Sequence, residues 1–408
     1  LRIGVFLENT PEQDGGGYTF ENEIIGSLLD YKNSCDHTFV FFSWHEEWKK
    51  YARNTSKAKF VYIHRSVTER VLTKAKLTAS TLAEKIRNPL KVVAPKSGRM
   101  KFINETLKVN KIDLLWSLCP TTVSMDIPYM MTVWDLQHRL QPYFPEVSVK
   151  GEWNSREGSY SLLLRRAALI ITGTNEGKSE IERFYQVPEE RVKVLPFPTP
   201  RFAIDCTLSE DDCHRILHKF QIPSRYLFYP AQFWPHKNHA GLLLALKYLK
   251  DNFKLSLPLV LTGSDKSNRS YIKKMSMELN LENQVYMLGF VTRNDLVALY
   301  KNAFALTFVS YFGPDNLPPL EAFALGCPVI ASNVPGAEEQ LGKAALLVDP
   351  KNPEHIALGI KNLLDNDDVR KSMIKYGIER ATKWTGMDYI KAITPIFDDI
   401  SKYRLCWE

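Results

Sequence analysis

Short runs of aliphatic, β-branched and aromatic residues alternate with helical patterns almost from end to end of the chain, and this alternation limits the fold more than any other feature. In the first half the runs are RIGVFLE (2–8), TFVFFSW, KFVYIH, KVVA, IDLLWSL, PYMMTVW, ALIITGT and VKVLPF. In the second they are RYLFYPA, LPLVLTG, QVYMLGF, FALTFVS, CPVIAS and AALLVD. Strands that alternate with helices belong to parallel sheets covered on both faces. The prolines and charges of PFPTPRFAIDCTLSEDDCHRILHKFQIPS, about 196–224, split the series in two. A chain of 408 residues is also long for one core. The expected architecture is therefore α/β, with two Rossmann-like, doubly wound domains facing a central cleft. Their expected limits are 1–199 and 200–386, and a last helix in 387–408 is expected to pack back on the first domain. In open sheets of this kind ligands sit beyond the carboxyl ends of the strands, so the loops after strands hold the candidate chemistry.

Composition excludes several classes. With 44% hydrophobic and 24% charged residues the chain reads as an ordinary globular protein, and no apolar run approaches the roughly 18 residues of a membrane span. The opening LRIGVFLENT is read as a strand, not a secretory signal. Six cysteines, at 35, 119, 206, 213, 327 and 406, form no CxxC pair and read as thiols of a reducing compartment. The net charge of +7 hides an asymmetry: residues 49–111 hold 17 Lys/Arg against three Glu, so this segment is near +14 and the remainder near −7. Within it Val67, Val71, Ala75, Ala79, Leu82 and Ile86 recur three or four apart beside lysines and arginines. That pattern fits either a helix with its stripe on the core or a basic face toward an anionic membrane surface. It carries no nucleic-acid-binding motif.

Four loops stand out. DGGGYTFENEI (14–24) follows the first strand and opens a helix, where Gly16 and Gly17 would let backbone approach an anion; a tight turn is the plain alternative. In YPAQFWPHKNHAGLLLAL (229–246), Lys237 stands just inside a helix, a place that suits a cation only if an anion shares it. In YFGPDNLPPLEAFALGCPVI (311–330), the double proline is expected to open a helix, with Leu317 extended before it and several amides turned outward for a diphosphate. Glu321, placed in the first turn, could accept hydrogen bonds from a diol or merely complement the helix dipole. In VWDLQHRLQPYF (133–144), Asp135 and His138 are candidates to face the cleft, although a lone histidine is often structural. No metal site is expected, since LDNDD (364–368) lies between two helical runs and reads as a solvated turn.

Together these residues resemble the retaining nucleotide-sugar glycosyltransferases of the GT-B fold, in glycosyltransferase family four. HKNHAGLLLAL looks like that family's Lys-Asn helix start, and LPPLEAFALGCPVIASNVPGAEEQLGKAALLVDP resembles its C-terminal signature almost without a break. DLQH and TGTNEGKSEIERFYQVPEERVKVL are similar to its first domain. The resemblance is strong over about 226–350 and nearly absent between 31 and 111. It implies that Lys237 contacts the donor diphosphate and Glu321 the ribose, with backbone near Asn316, Leu317 and Leu320 at the phosphates. It also implies a nucleobase pocket at Gly263 and the GFV stretch from Gly289 to Val291, closed by Gly16 and Gly17 from the opposite domain. The chain departs from the pattern in three places. Gln232–Phe233 stand where an Arg is usual, Gly313 where a first Glu is common, and Trp134–Asp135 where a His-Asp pair is common.

The implied activity is metal- and cofactor-independent transfer of a hexose or deoxyhexose from a GDP- or UDP-type donor to a glycan or lipid-linked hydroxyl. The implied location is cytoplasmic, peripheral on the inner membrane face through 49–111. A non-catalytic nucleotide-sugar-binding partner and a nucleotide-sugar epimerase are the alternatives the same sequence leaves open.

Overall fold

The computed structural model describes residues 1–7, 15–44, 57–63 and 97–406. The run KVVA, the Val67–Ile86 pattern and much of 49–111 lie outside the described residues. The first sheet contains β1 (Arg2–Leu7), β2 (Thr38–Ser43), β3 (Ala58–Tyr62), β4 (Leu114–Ser117), β5 (Tyr129–Val133), β6 (Leu169–Thr172) and β7 (Val192–Val194). Its order is β3-β2-β1-β4-β5-β6-β7, and each pairing is parallel. The second contains β8 (Leu227–Pro230), β9 (Leu259–Thr262), β10 (Val285–Gly289), β11 (Ala305–Phe308), β12 (Val329–Ser332) and β13 (Ala345–Val348). Its order is β10-β9-β8-β11-β12-β13, again all parallel. Every described strand falls within a run marked by the sequence except β3, which begins one residue earlier, at Ala58.

The two-residue period of a strand explains why these runs are apolar throughout. Ile3, Val5 and Leu7 point to one face of the first sheet, with Phe39, Phe41, Leu114 and Trp116. Phe6, Val40, Phe42 and Leu115 point to the other. Both faces are covered, so neither alternate set can be polar.

The strand order reverses between β1 and β4 in the first sheet and between β8 and β11 in the second. Helices leaving two strands on either side of such a reversal diverge and leave a crevice at their carboxyl ends. The glycine loop follows β1, the Lys237 loop follows β8, and the double-proline loop follows β11. Three of the four stretches singled out by sequence thus occupy the switch points.

The chain passes between the sheets twice at adjacent places. Thr199 N donates to Trp384 O at 3.0 Å, and Trp384 Nε1 to Pro196 O at 2.8 Å. Thr385 then caps the Gly386–Arg404 helix in a reciprocal capping box with Asp388. That helix packs against the Gly16–Tyr31 helix and β1, β2 and β4. Tyr389 lies edge-on to Phe20 at 5.9 Å, Phe397 to Trp116 at 5.4 Å, and Arg404 pairs with Asp113 at 2.9 Å. Gly386 is required by this packing, since a Cβ there would lie 2.2 Å from both Glu23 Oε1 and Ser27 Oγ. Among the described residues no helix is long and apolar enough to cross a membrane.

Candidate active site in the interdomain cleft

Between the carboxyl ends of the two sheets lies a cavity of about 450 Å³, within the range of small-molecule sites. Of the residues proposed from sequence, it is lined by Gly16, Gly17, Asp135, Gln232, Lys237, Gly263, Val291, Gly313, Asn316, Leu317 and Glu321. Gly289, Leu320 and His138 do not line it.

The first-sheet wall begins with Gly15, whose φ of +73° turns the chain into the Gly16–Tyr31 helix. Gly16 and Gly17 are thus in the first helical turn, not in a loop, and among the described residues no side chain caps their amides. A Cβ on Gly16 would lie 4.0 Å from Leu317 Cδ1, so the two motif loops meet across the cleft. Asp135 accepts from Gln137 N at 3.0 Å and lies 3.6 Å from Arg156.

His138 is placed differently from expectation. It is fully buried, with Nε2 3.1 Å from Tyr185 OH and 3.3 Å from Glu157, and its ring packs beside Tyr160 and Trp153. The short Gln137–Leu140 helix turns His138 inward and leaves Gln137 on the cleft. Burial lowers the pKa of the imidazole, whose place is in the first-domain core.

Lys237 ends a 3-10 helix, Pro235–Lys237, and therefore precedes the next helix instead of lying inside it. The cap is Asn238, in the left-handed conformation at φ +56°. Its side chain accepts from Gly241 N at 3.0 Å and donates to Val309 O and Pro350 O at 3.0 and 2.8 Å. Lys237 Nζ lies 5.3 Å from the Phe308 ring and has no carboxylate within ion-pair distance among the described residues. Burial pulls this ammonium down to about 8, while the charges of Asp135 and Glu146 favour its protonated form.

The double-proline helix runs Leu317–Ala324. The extended residue is Asn316, at φ −135° and ψ 132°, and Leu317 is already helical. Burial of the Leu317 side chain overrides the local bias imposed by the following proline. Fewer amides are available than the loop suggested. Tyr311 N donates to His236 O, Phe312 N to Ser310 Oγ, and Asn316 N to Gln340 Oε1. Pro318 and Pro319 have no N–H, and Leu320 is far enough along to bond within the helix. The amides left without a partner among the described residues are those of Gly313, Asp315 and Leu317. Gly313 is needed at φ +132°, where a Cβ would lie 2.5 Å from Asn316 Oδ1.

Glu321 lies in the second turn, not the first, and is only 6% exposed. Tyr300 OH donates to one of its oxygens at 2.8 Å. Burial pushes the carboxyl up to about 7, against this hydrogen bond and the charge of Arg293. A dipole-complementing surface carboxylate would not sit there. Asp315 also lines the cavity, but its carboxylate accepts from Phe197 N at 2.7 Å and from Gln340 Nε2, bracing the two domains. Gly173 makes room for it, since a Cβ there would lie 2.1 Å from Asp315 Oδ2.

After β9, Gly263 has φ +134°, and a Cβ would meet Ala231 O at 2.5 Å. Its N–H donates to Gly289 O at 2.8 Å, so Gly289 supports this wall from behind. Phe290 (47% exposed), within the GFV stretch, also lines the cleft, as do Trp234 and Arg293, which were not singled out by sequence. Arg293 lies 5.0 Å from the Phe202 ring. Its TRND context reads as an ordinary helix start, and it is indeed the first residue after the Thr292 cap. The described residues contain no group of three or more His, Cys, Asp or Glu poised for a metal.

Two parallel-sheet domains with a cleft between their strand ends are the GT-B arrangement. Residues 215–380 match the family described as "Glycosyl transferases group 1". The chain is 29% identical over 242 residues to O-antigen chain mannosyltransferase B of Escherichia coli, which covers 59% of this chain and 63% of the relative. It is 28% identical over 200 residues to O-antigen chain mannosyltransferase RfbU of Salmonella typhimurium, covering 49% and 52%. These matches thus span between about half and 63% of the curated relatives' lengths. The fold is similar to that of Anabaena HepE, solved in complex with UDP and glucose, at a TM-score of 0.68 and 14% identity over 98% of this chain and 100% of that one.

Proposed function

We propose that the chain transfers a hexosyl group, mannose in the first instance, from a nucleoside-diphosphate sugar to a hydroxyl of a glycan or lipid-linked acceptor, with retention and without a metal. The observation that carries this reading is the pairing, in one cleft, of an ammonium that has no carboxylate partner among the described residues and a buried carboxylate. Lys237 lines the same cavity as Gly16 and Gly17, in the first turn of their helix, and as Gly313 and Leu317. That is a seat for a pyrophosphate. Glu321, set back along its helix, can accept from the ribose hydroxyls. In the reaction the bond from sugar C1 to the pyrophosphate oxygen breaks and its electron pair stays on the diphosphate. The acceptor oxygen forms the new bond on the same face and gives its proton to the departing diphosphate. Charge developing on that leaving group meets Lys237 and pre-placed amides. Mannose is favoured because both curated relatives described above are named mannosyltransferases.

The test is a thermal-shift panel of GDP, UDP, dTDP and ADP with their sugars, followed by transfer assays with the stabilising donor, with and without EDTA. GDP-mannose is expected to raise the melting temperature most, and EDTA to leave the rate unchanged. Stabilisation by none of the nucleotides would remove the reading, and an EDTA-sensitive rate would remove its metal-independent part.

A further inference from the structure

We infer that Glu146, which reaches across the cleft from the first domain, is a positioning residue that sets Lys237 for a pyrophosphate, so that the cation is correctly placed only while the domains are closed. The inference rests on the proposed nucleoside-diphosphate-sugar site. Lys237 ends a three-residue 3-10 helix followed by a left-handed residue. So short a turn holds itself weakly, and its direction is set by outside contacts. From its own domain, Tyr229 OH donates to Lys237 O at 2.6 Å, and His236 O accepts from Tyr311 N at 2.8 Å. From the other domain, Glu146 Oε1 accepts from His236 N at 3.1 Å and lies 2.5 Å from His236 Nδ1. One carboxylate oxygen therefore grips both backbone and side chain of the residue before Lys237.

This contact is shielded from water, with the Glu146 side chain 6% and the His236 side chain 12% exposed. Glu146 Oε2 is buried without a partner among the described residues. An unpaired carboxylate oxygen is costly to bury, and here it is tolerated beside the charge of Lys237. Burial would raise the Glu146 carboxyl, but its hydrogen bonds with His236 outweigh that and hold it below the usual range. Glu146 is carried by the short Pro145–Ser148 helix, and the segment before it docks on the same surface. Gln141 Nε2 donates to Tyr311 O at 3.0 Å, and the Phe144 ring lies 5.7 Å from Tyr311 and 6.2 Å from His236. The segment thus bridges the Lys237 loop and the start of the double-proline loop. Parting the domains would strip His236 N of its partner and free the turn that carries the ammonium.

The test is calorimetric binding of UDP, UMP, GDP and GMP to the full chain and its variants, read as the affinity ratio of diphosphate to matching monophosphate. In the wild type this ratio is expected to exceed one for the base that binds, and to collapse in Lys237→Ala. Glu146→Ala is expected to lower it about tenfold, or about 1.4 kcal/mol, with monophosphate affinity unchanged. Glu146→Gln, whose amide oxygen can still accept from His236 N, is expected to keep most of it. The Glu146→Ala/Lys237→Ala double variant is expected to bind no more weakly than Lys237→Ala. If Glu146→Ala does not fold, Phe144→Ala, which loosens the same segment, takes its place with the same expected selective loss. Equal weakening of both nucleotides, or no change, would overturn the inference and leave the site reading intact. A wild type indifferent to the second phosphate, or a ratio unmoved in Lys237→Ala, would overturn both.

Discussion

Lys237 and Glu321 both line the cleft, and burial disfavours the charged form of each. Among the described residues the ammonium has no carboxylate partner, and the carboxylate has a tyrosine hydroxyl as its one side-chain donor, so burial destabilises both. Removing the cation with Lys237→Ala is expected to lower kcat/KM for the donor by about 10²–10³, with the fold intact by circular dichroism, since losing one oxyanion-type donor has that effect. Activity within a factor of a few of wild type would show that the lysine does not meet the leaving group. For Glu321 the sign of the pH effect follows from a folded pKa near 7, above the value of an unfolded glutamate. Its contribution to stability is complete below the unfolded value and is lost as the pH rises through about 7. Glu321→Gln is therefore expected to gain stability relative to wild type between pH 5 and pH 8, by about 3 kcal/mol at most. The check is urea unfolding at the two pH values; a difference independent of pH would count against it. The identities of both residues were legible in the sequence, but their placements were not. Lys237 was expected inside a helix and Glu321 in a first turn, and propensity fixes such boundaries only to within a residue or two.

Among the local elements, the turn from β8 into the His239–Phe253 helix depends on one side chain. Asn238 is 2% exposed, left-handed, and satisfies Gly241 N–H and two carbonyls. Asn238→Ala is expected to destabilise the protein by about 2–4 kcal/mol in urea melts, through a lost cap and stranded buried carbonyls. Because the same turn carries Lys237, donor affinity is expected to fall with it; a loss under 1 kcal/mol would mean that the carbonyls find other partners. Strands and most helices were readable because their periodicities are local. The double-proline loop was only half readable. Its prolines announced a helix start, but the number of usable amides depended on Gln340 and His236, side chain and backbone far along the chain. Nothing in the loop itself could report them. His138 fell to the same limit, since a four-residue helix leaves its facing undetermined until Glu157 and Tyr185 are placed.

For the molecule as a whole, the two domains are tied by the paired crossings at 196–199 and 384–386 and by contacts on both flanks of the cleft. On one flank Glu339 accepts from Asn175 N at 3.0 Å and Asp315 from Phe197 N at 2.7 Å; on the other Glu146 meets His236. The C-terminal helix completes the first domain, and Gly386 lets it approach. Gly386→Leu is expected to push that helix from Glu23 and Ser27, lower the urea midpoint and expose the helix to limited proteolysis. An unchanged digestion pattern would mean that the helix tolerates the added bulk. Sequence alone determined the two parallel sheets and most of their helices, because strand and helix periodicity acts over a few neighbouring residues. The tertiary structure alone decided which strands flank each switch point, which amides are taken, that His138 faces inward, and that Glu146 reaches Lys237's turn from the opposite domain. Those facts depend on residues brought together from tens to more than a hundred positions apart, and a local pattern holds no information about such distances.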